Sequence, residues 1–218
     1  MKKFFLPIGQ RQEEVLLPEE HVIYDIHGNA ATICDDVVAA AKEALRNPIG
    51  TKPLREIVRA GESVAIIISD ITRLCGTKEF LPVIVEELND VGVKDEDITV
   101  VVATGTHRGH THEEDITVCG EEMVRRLRII QHDSRKKEDM VSLGKTSFGN
   151  EVAINKYVAN ADRVILTGAV TLHPFAGVGG GRKAVMPGVA AYDSIMMNHC
   201  MTMSPIEGGG CNKACDAS

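Results

Sequence analysis

The chain has 218 residues and carries 24 lysine and arginine residues against 31 aspartate and glutamate residues, a net charge of −7. Its length can bury a hydrophobic core, in one large domain or two small ones. The acidic balance argues against a nucleic-acid partner, because nucleic-acid-binding proteins usually carry a basic surplus. Apolar runs stay well below the roughly 20 residues of a membrane span, and the N-terminus lacks the apolar core of a signal peptide. We therefore expect a cytoplasmic protein that does not bind membranes.

The N-terminal part of the sequence predicts strands followed by a helix. Residues before 28 contain short apolar stretches, which are typical of short strands or a hairpin. Residues 31–46 have the periodicity of an amphipathic helix, and Asn47 and Pro48 end it. We expect these elements to precede the main part of the fold.

Four short segments downstream predict β-strands. Residues 63–69, 97–103 and 163–167 are continuous apolar runs, and residues 128–132 form a weaker one. Runs of this kind are typical of strands that are covered on both faces, as in a parallel sheet. We therefore expect these strands to form the buried centre of the protein.

Helical patterns lie between the strands. Residues 78–90 follow the first strand, and we expect Pro82 near the first turn of that helix, where proline is tolerated. Thr111 and Glu114 form a capping-box sequence that opens a helix after the second strand. Residues 190–197 have a helical pattern after the third strand.

The alternation of strand, loop and helix predicts an α/β fold. We expect a doubly wound, mostly parallel, Rossmann-like sheet, with a small β-rich segment at the N-terminus. In such sheets, ligands bind outside the carboxyl ends of the strands. The most unusual residues follow the strand ends, in segments 70–73, 104–108 and 168–183. We therefore expect the functional site at this edge of the sheet.

The first two strand-end segments offer a cation and an acid–base. Arg73 could bind an anion or polarise a substrate, or it could be an ordinary surface arginine. Among three neighbouring histidines we prefer His107 as the acid–base, because imidazole titrates near neutral pH. We expect the other two, His110 and His112, to face solvent, and Thr111 to cap a helix.

The third strand-end segment combines a histidine with a glycine-rich loop. His173 precedes Pro174, which favours an extended backbone, so His173 could point into a crevice or be a hydrogen-bonded loop residue. Residues 177–183 (GVGGGRK) are similar to a phosphate cradle of backbone N–H groups and positive charge. They are not a Walker loop, because Ala184 follows Lys183.

The C-terminal part leaves two metal hypotheses open. His199 ends a helical run and could cap the helix or bind a metal. The six cysteines of the chain should be free thiols in a reducing compartment. Cys211 and Cys215 have a spacing found in zinc sites, but the pair stands alone, and we favour a polar, glycine-rich tail.

Four blocks of the sequence, taken in order, resemble the lactate racemase family that carries a nickel-pincer nucleotide. They are NPIG (47–50), SDITR (69–73), ATGTHR with THEE (103–114), and HPFAGVGGGRKAVMPG with NH (173–199). The resemblance covers most of residues 28–199, and four ordered blocks are more specific than any one alone. It implies that residues 1–199 are the N-terminal, cofactor-binding domain of that family. Residues 200–218 would be a tail or the start of a second domain.

The resemblance also implies a role for each candidate residue. Lys183 would carry the nickel-pincer nucleotide covalently, and His199 would be the protein's ligand to Ni(II). His107, His173 and Arg73 would be the catalytic residues, with one histidine for each face of a small 2-hydroxy acid. The residues expected to bind the cofactor are Asp70, Thr72, Arg73, Gly179, Gly180 and Lys183.

The activity implied is racemisation or epimerisation of a 2-hydroxy acid by transient hydride transfer to the cofactor. Leu74 stands where the family usually has proline, so we expect the turn at Arg73 to be built differently. Pro174, with Thr171 and Leu172 before His173, indicates a pocket that is not tuned for lactate. Members of the family have a second α/β domain, so we expect a second racemase domain or a homo-oligomeric partner, and weak or no turnover by this chain alone. The alternative hypothesis is a non-catalytic module that binds a nucleotide or phosphate through residues 177–183.

Overall fold

The structure is a computed structural model, and it describes residues 1–9, 11–28, 33–173 and 176–201. The chain divides into two compact units, Met1–Asp35 and Asp36–Ser218. In the first unit, β1 (Lys2–Ile8) pairs antiparallel with β2 (Arg11–Leu17), and a short 3₁₀ helix follows at Glu19–His21. This pairing confirms the predicted N-terminal hairpin.

Strands and helices alternate along the second unit. Its strands are β3 (Val64–Ser69), β4 (Ile98–Ala103), β5 (Arg128–Gln131), β6 (Met140–Lys145), β7 (Glu151–Asn155), β8 (Arg163–Leu166), β9 (Leu172–His173) and β10 (Gly177–Val178). Its helices are α1 (Val37–Arg46), α2 (Leu54–Ile57), α3 (Thr77–Asp90), α4 (His112–Cys119), α5 (Glu121–Arg126), α6 (Lys156–Ala159) and α7 (Tyr192–Met201). All four predicted strands are present.

The central sheet has four parallel strands in the order β5-β4-β3-β8. Val64 of β3 lies opposite Ile98 of β4 on one side and opposite Arg163 of β8 on the other. The chain thus moves outward from β3 to β4 and β5, and then returns to β8 on the other side of β3. This arrangement confirms the predicted parallel α/β fold, and it creates a crevice at the carboxyl end of β3.

The side chains of β3 pack alternately into hydrophobic clusters on the two faces of the sheet, because successive residues of a strand point to opposite sides. Ile66 and Ile68 lie in one cluster, against α3, α4 and α5, whereas Ala65 and Ile67 lie in the other, with Ile195 of α7. Burial on both faces explains why a continuous apolar run predicted this strand.

The strand β8 differs from its prediction. It pairs with β3 and with no other strand of the described residues. Val164 and Leu166 are 40% and 36% exposed. In the described part of the chain β8 is therefore an edge strand, although its apolar sequence is as continuous as that of a strand covered on both faces.

The first helix begins later than predicted. The side chain of Asp36 accepts a hydrogen bond from the backbone N–H of Ala39 at 2.8 Å, and this N-cap starts α1 at Val37. The prediction placed the start at residue 31, and residues 31 and 32 lie outside the described ranges. The apolar periodicity of the segment does not show which polar residue caps the helix.

Three other helix predictions have different outcomes. Pro82 lies inside α3 and not near its first turn, so the carbonyl of Lys78 loses its helical partner, which is tolerated because Lys78 is exposed. The capping box of Thr111 and Glu114 is confirmed at the start of α4. The last helix continues to Met201, so the first two residues of the predicted tail are helical.

Two further features concern membrane spans and cysteines. Across the described ranges, no helix is long and apolar enough to cross a membrane. The cysteines in those ranges, Cys34, Cys75, Cys119 and Cys200, are free thiols. The rest of the predicted tail, including Cys211 and Cys215, lies outside the described residues.

Candidate active site

A cavity of about 470 Å³ lies at the carboxyl ends of β3, β4 and β8. Its walls come from the loops after these strands, from segment 179–188 and from α7. The predicted site residues that line it are Asp70, Arg73, His107, His173, Gly179, Gly180, Lys183 and His199. Thr72 is a predicted site residue that does not line it. The structure thus brings residues that are far apart in the sequence into one place.

His107 is oriented by a buried carboxylate. Its Nδ1 lies 2.6 Å from Oδ2 of Asp70, the residue that follows β3. The Asp70 side chain is 2% exposed, whereas the His107 side chain is 44% exposed. Because an ionised carboxylate only accepts hydrogen bonds, the neutral His107 ring carries its proton on Nδ1 and has its lone pair on Nε2. His107 therefore has a nitrogen that can accept a proton.

The charge of Asp70 is stabilised by the turn after β3. Burial acts to raise the pKa of this carboxyl, but hydrogen bonds from Thr72 and His107 outweigh burial and hold the pKa below its ordinary value. Thr72 donates its hydroxyl at 2.6 Å and its backbone N–H at 3.1 Å to Oδ1 of Asp70. Thr72 therefore acts from behind the cavity wall, through Asp70.

His110 is buried, and the prediction that it faces solvent is wrong. Its side chain is 1% exposed. The backbone N–H of Ile71 donates to Nε2 at 2.8 Å, and Nδ1 lies 3.0 Å from Asp115. One partner is a backbone group, so no side-chain pattern in the sequence predicts the contact. His112 is exposed, as predicted.

A second group of side chains gives the cavity positive charge. Burial lowers the pKa of the Lys183 amine, and the nearby Arg73 guanidinium lowers it further. Burial also lowers the pKa of His173, and neighbouring positive groups add to this effect. These groups are Lys183, Arg73 and His199. The surroundings therefore favour the neutral form of the His173 ring at neutral pH.

The ring of His173 has the opposite tautomer from that of His107. The backbone N–H of Ala176 donates to Nδ1 of His173 at 3.3 Å, so the neutral ring carries its proton on Nε2. His173 lies in β9, which pairs with β10 and follows β8 in the chain. One cavity thus contains a histidine whose Nε2 can accept a hydrogen bond and a histidine whose Nε2 can donate one.

The glycine-rich loop packs against the loop after β8. The backbone N–H of Gly179 donates to the carbonyl oxygen of Thr171 at 2.6 Å. A Cβ atom on Gly179 would lie 3.1 Å from the Thr171 hydroxyl, and one on Gly180 would lie 3.1 Å from the carbonyl oxygen of Ala169. Contact between these loops therefore requires small residues, independently of any ligand.

A backbone contact joins the two sides of the cavity. The N–H of Gly105, in the loop that carries His107, donates to the carbonyl oxygen of Gly188 at 2.9 Å. A Cβ atom on Gly188 would overlap the carbonyl oxygen of Ala184 and would lie 2.9 Å from Cβ of Ala103. The close approach at Gly188 therefore fixes the segment after Lys183 against the end of β4.

His132 is a buried histidine whose structural role was not predicted from the sequence. Its Nε2 donates to the carbonyl oxygen of Ala190 at 2.9 Å, and its Nδ1 accepts from the Asn155 side chain at 3.2 Å. Burial lowers the pKa of His132, which favours the neutral ring that this pair of bonds requires. The Thr104 hydroxyl donates to the His132 carbonyl oxygen at 2.6 Å. His132 therefore connects the end of β5 to the segment that precedes α7.

The departures from the family pattern lie partly on the cavity wall. Leu74 and Thr171 line the cavity, and Leu74 is 65% exposed. Leu172 is 91% exposed and is not part of the wall. Leu74 and Thr171 are therefore positioned to contact a bound molecule.

Metal binding at this site would depend on His199. Across the described residues, no group of three or more His, Cys, Asp or Glu side chains is arranged to hold a metal ion. His199 lies in α7 on the cavity wall. A metal at His199 would need further ligands from a bound molecule or from outside the described ranges. The zinc hypothesis for Cys211 and Cys215 concerns residues that lie outside those ranges.

Two curated relatives are lactate racemases. The chain is 34% identical over 205 residues to the lactate racemase of Thermoanaerobacterium thermosaccharolyticum, which covers 92% of this chain and 47% of the relative. It is 36% identical over 196 residues to the lactate racemase of Lactiplantibacillus plantarum, which covers 89% of this chain and 46% of the relative. The chain thus spans about half the length of the curated relatives it matches.

Comparison with solved structures and with a family model gives further similarities. The lactate racemase apoprotein from T. thermosaccharolyticum matches 96% of this chain and 49% of its own, with a TM-score of 0.81 and 30% identity. A Thermotoga maritima protein, at 20% identity and a TM-score of 0.56, shares the fold over 73% of this chain. The family model described as the lactate racemase N-terminal domain matches residues 8–210. The chain therefore belongs to the lactate racemase N-terminal domain family.

Proposed function

We propose that this chain is the cofactor-binding part of a racemase or epimerase that acts on a small 2-hydroxy acid. The observation that carries the proposal is the pair of histidines, His107 and His173, in one cavity with opposite tautomers. Its curated relatives are lactate racemases, and Leu74 and Thr171 on the wall support a substrate other than lactate itself. The catalytic residues would be the two histidines and Arg73.

The residues of the cavity fit a nickel-pincer nucleotide held by Lys183 and His199. The lowered pKa of Lys183 leaves more of its amine neutral, which is the form that can make a covalent bond. His199 offers one imidazole, a donor that Ni(II) accepts together with sulfur. The cavity is within the range of about 300–1,000 Å³ that small-molecule sites have. When bound, this cofactor would supply the acceptor for the substrate's hydride.

The protein's own residues would control the proton of the substrate's hydroxyl group. In the neutral His107 ring, Nε2 has a lone pair and would take that proton as the carbon loses its hydride, which would leave a planar 2-keto acid. On the opposite face, Nε2–H of His173 would hydrogen-bond the carbonyl oxygen of the keto acid, and the imidazolium form of this ring would return the proton as hydride adds, which leaves the ring neutral. His107 follows β4, whereas His173 lies in β9 after β8, so the two rings would reach a substrate from different loops, as inversion requires.

The remaining cavity residues would bind and orient. Arg73 would bind the substrate carboxylate, since a guanidinium can donate two parallel hydrogen bonds to it. Asp70 and Thr72 would act through the His107 ring, and Gly179 and Gly180 would form the wall beside Lys183. A second racemase domain or another copy of the chain would close the cavity. A cytoplasmic location remains a prediction from the sequence.

The proposal is tested by expressing the chain together with the enzymes that assemble the cofactor. We expect intact mass spectrometry to show an adduct on Lys183, and metal analysis to show one nickel per adduct. Lys183→Arg, which keeps the charge without a nucleophilic amine, should lose the adduct, whereas Lys78→Arg on α3 should keep it. If wild-type protein carries neither adduct nor nickel, the proposal is wrong.

The alternative, a non-catalytic nucleotide or phosphate module, has one observation in its favour. Arg73 and Lys183 place positive charge beside the glycine-rich loop, which suits a phosphate group. A module of this kind would keep its affinity for a nucleotide after His107→Ala and His173→Ala are combined, and it would not need nickel. Thermal-shift assays with nucleotides, with and without nickel, separate the two functions.

A further inference from the structure

His110 and His107 belong to one loop but differ in exposure. The His110 side chain is 1% exposed, whereas the His107 side chain is 44% exposed. Both ring nitrogens of His110 have partners: Nε2 accepts from the Ile71 N–H at 2.8 Å, and Nδ1 donates to Asp115. Since a backbone N–H can only donate, Nε2 must be unprotonated and Nδ1 must carry the proton. The surroundings of His110 thus select one tautomer.

The His110 ring is part of a closed network of part-buried hydrogen bonds. Gln131 donates its side-chain amide to Asp115 at 2.8 Å, and its side-chain carbonyl accepts from the backbone N–H of His110 at 3.0 Å. These contacts connect the loop, the helix α4 and the strand β5. Hydrogen bonds that close a network around a buried ring restrict its motion, so His110 is held in a fixed position relative to the sheet.

The fixed ring of His110 holds the turn after β3. Ile71 lies between Asp70, which bonds to the His107 ring, and Thr72, which bonds to Asp70. The loop therefore contacts this turn at two consecutive residues, through His107 on Asp70 and through His110 on Ile71. Two adjacent contacts restrict rotation of the turn more than one contact does.

We propose that His110 is a positioning residue that fixes the turn 70–73 and thereby holds the Asp70 carboxylate against Nδ1 of His107. His110 does not line the cavity, so it acts through Ile71 and not on a bound molecule. Its consequence for catalysis rests on the proposed function, whereas the positioning itself depends only on the contacts of the protein. An experiment can therefore disprove the positioning role of His110 without disproving the proposed function, and the reverse also holds.

The test uses nitrogen-15 NMR on the 218-residue chain without cofactor or substrate. Ring nitrogen shifts show which nitrogen of a histidine is protonated, and hydrogen exchange reports the protection of the Ile71 amide. His110→Gln keeps an acceptor at the same distance from the backbone as Nε2, whereas His110→Asn has a side chain too short to reach Ile71. His112→Asn, a neighbouring exposed histidine, is the matched control.

We expect His110→Asn to lose protection at the Ile71 amide and to lose the single Nδ1–H tautomer of His107. We expect His110→Gln to restore both, and His112→Asn to change neither. Unchanged His107 shifts in His110→Asn would overturn the proposal, as would equal changes in His110→Asn and His112→Asn. If His110→Asn does not fold, the unmodified chain decides, because a protonated Nε2 on His110 at neutral pH would also overturn the proposal.

Discussion

The two histidines of the cavity are controlled in different ways. His107 is oriented by a hydrogen bond to the buried carboxylate of Asp70, 2.6 Å away. His173 lies among positive groups, and burial together with Lys183 and Arg73 lowers its pKa. The orientation of the His107 ring is thus set by a hydrogen bond to a carboxylate, whereas the pKa of His173 is set by burial and nearby positive charge. Two neutral rings of the same type can therefore serve as hydrogen-bond acceptor and hydrogen-bond donor in one cavity, because their surroundings differ.

This difference predicts that the two sides of the cavity are sensitive to different changes. A variant that alters the hydrogen bond to Nδ1 should affect His107, whereas a variant that removes a positive charge should affect Lys183 and His173. The sides are joined by the bond between Gly105 and Gly188, so damage at that junction should affect both.

The largest expected effect is that of Asp70→Asn on activity. An asparagine can donate to Nδ1 of His107 and so favour the tautomer that has its proton on Nε2, which removes the acceptor nitrogen. We expect racemisation by the cofactor-loaded assembly to fall on the order of 10²–10⁴-fold. Chiral chromatography of the product measures the rate. Glu113→Gln, an exposed carboxylate on α4, should have no effect, and a normal rate for Asp70→Asn with full nickel content would contradict the prediction.

The next effect is the loss of stability in Gly188→Ala. The added methyl group would overlap the carbonyl oxygen of Ala184 and approach Ala103, so the junction between the two sides has to shift. We expect a loss of about 2–3 kcal/mol in the free energy of unfolding, measured by urea denaturation. The control is Gly181→Ala, where a Cβ meets open space but φ is +50°, and we expect about 1–2 kcal/mol there. Equal losses in the two variants would count against a close approach at Gly188.

A smaller effect is expected on the reactivity of Lys183 when Arg73 is replaced by leucine. Burial and the Arg73 charge lower the pKa of Lys183, so removing that charge raises the pKa and reduces the neutral fraction of the amine. Acylation of Lys183 at neutral pH should slow, by about tenfold for each unit of pKa. Peptide mass spectrometry after timed acylation measures this rate. Arg55→Leu, which removes an arginine paired with Glu87, should leave the rate unchanged, and faster acylation in Arg73→Leu would refute the electrostatic cause.

The sequence predicted the sheet and the location of the candidate site for the same physical reason. Residues 64–68 and 100–103 are continuous apolar runs because both faces of these strands are covered, and this pattern is visible in the sequence. The polar residues that follow them necessarily lie at one edge of a parallel sheet. Asp70, Arg73 and His107 could therefore be placed together without knowledge of their contacts.

The contacts themselves could not be predicted. The partner of His110 is a backbone N–H in another loop, and every non-proline residue has such a group. The glycines of residues 177–183 indicated a ligand, but Thr171 and Ala169 also require them. A missing side chain permits close approach by a ligand or by another loop, and the sequence does not distinguish the two.

The smallest expected effect separates the two sides by the pH at which each loses stability. The pKa of His173 is lowered on folding, so the unfolded chain binds its proton first as pH falls below the ordinary histidine value of about 6.5, and stability decreases there. His173→Gln should lose less stability than the wild type over that window. The pKa of His132 is also lowered. His132 is present in both the wild type and His173→Gln, so its effect on stability is the same in both and cancels when they are compared.

The carboxylate side should respond at lower pH. The pKa of Asp70 is lowered on folding, so its contribution to stability is complete above the ordinary aspartate value of about 3.9 and is lost as pH falls through the folded value. Asp70→Asn should therefore lose less stability than the wild type only in this acidic window. Urea midpoints measured across pH test both variants. If the stabilities of His173→Gln and Asp70→Asn differed from that of the wild type over the same pH range, the two sides of the cavity would share one electrostatic environment, and the distinction between them would be wrong.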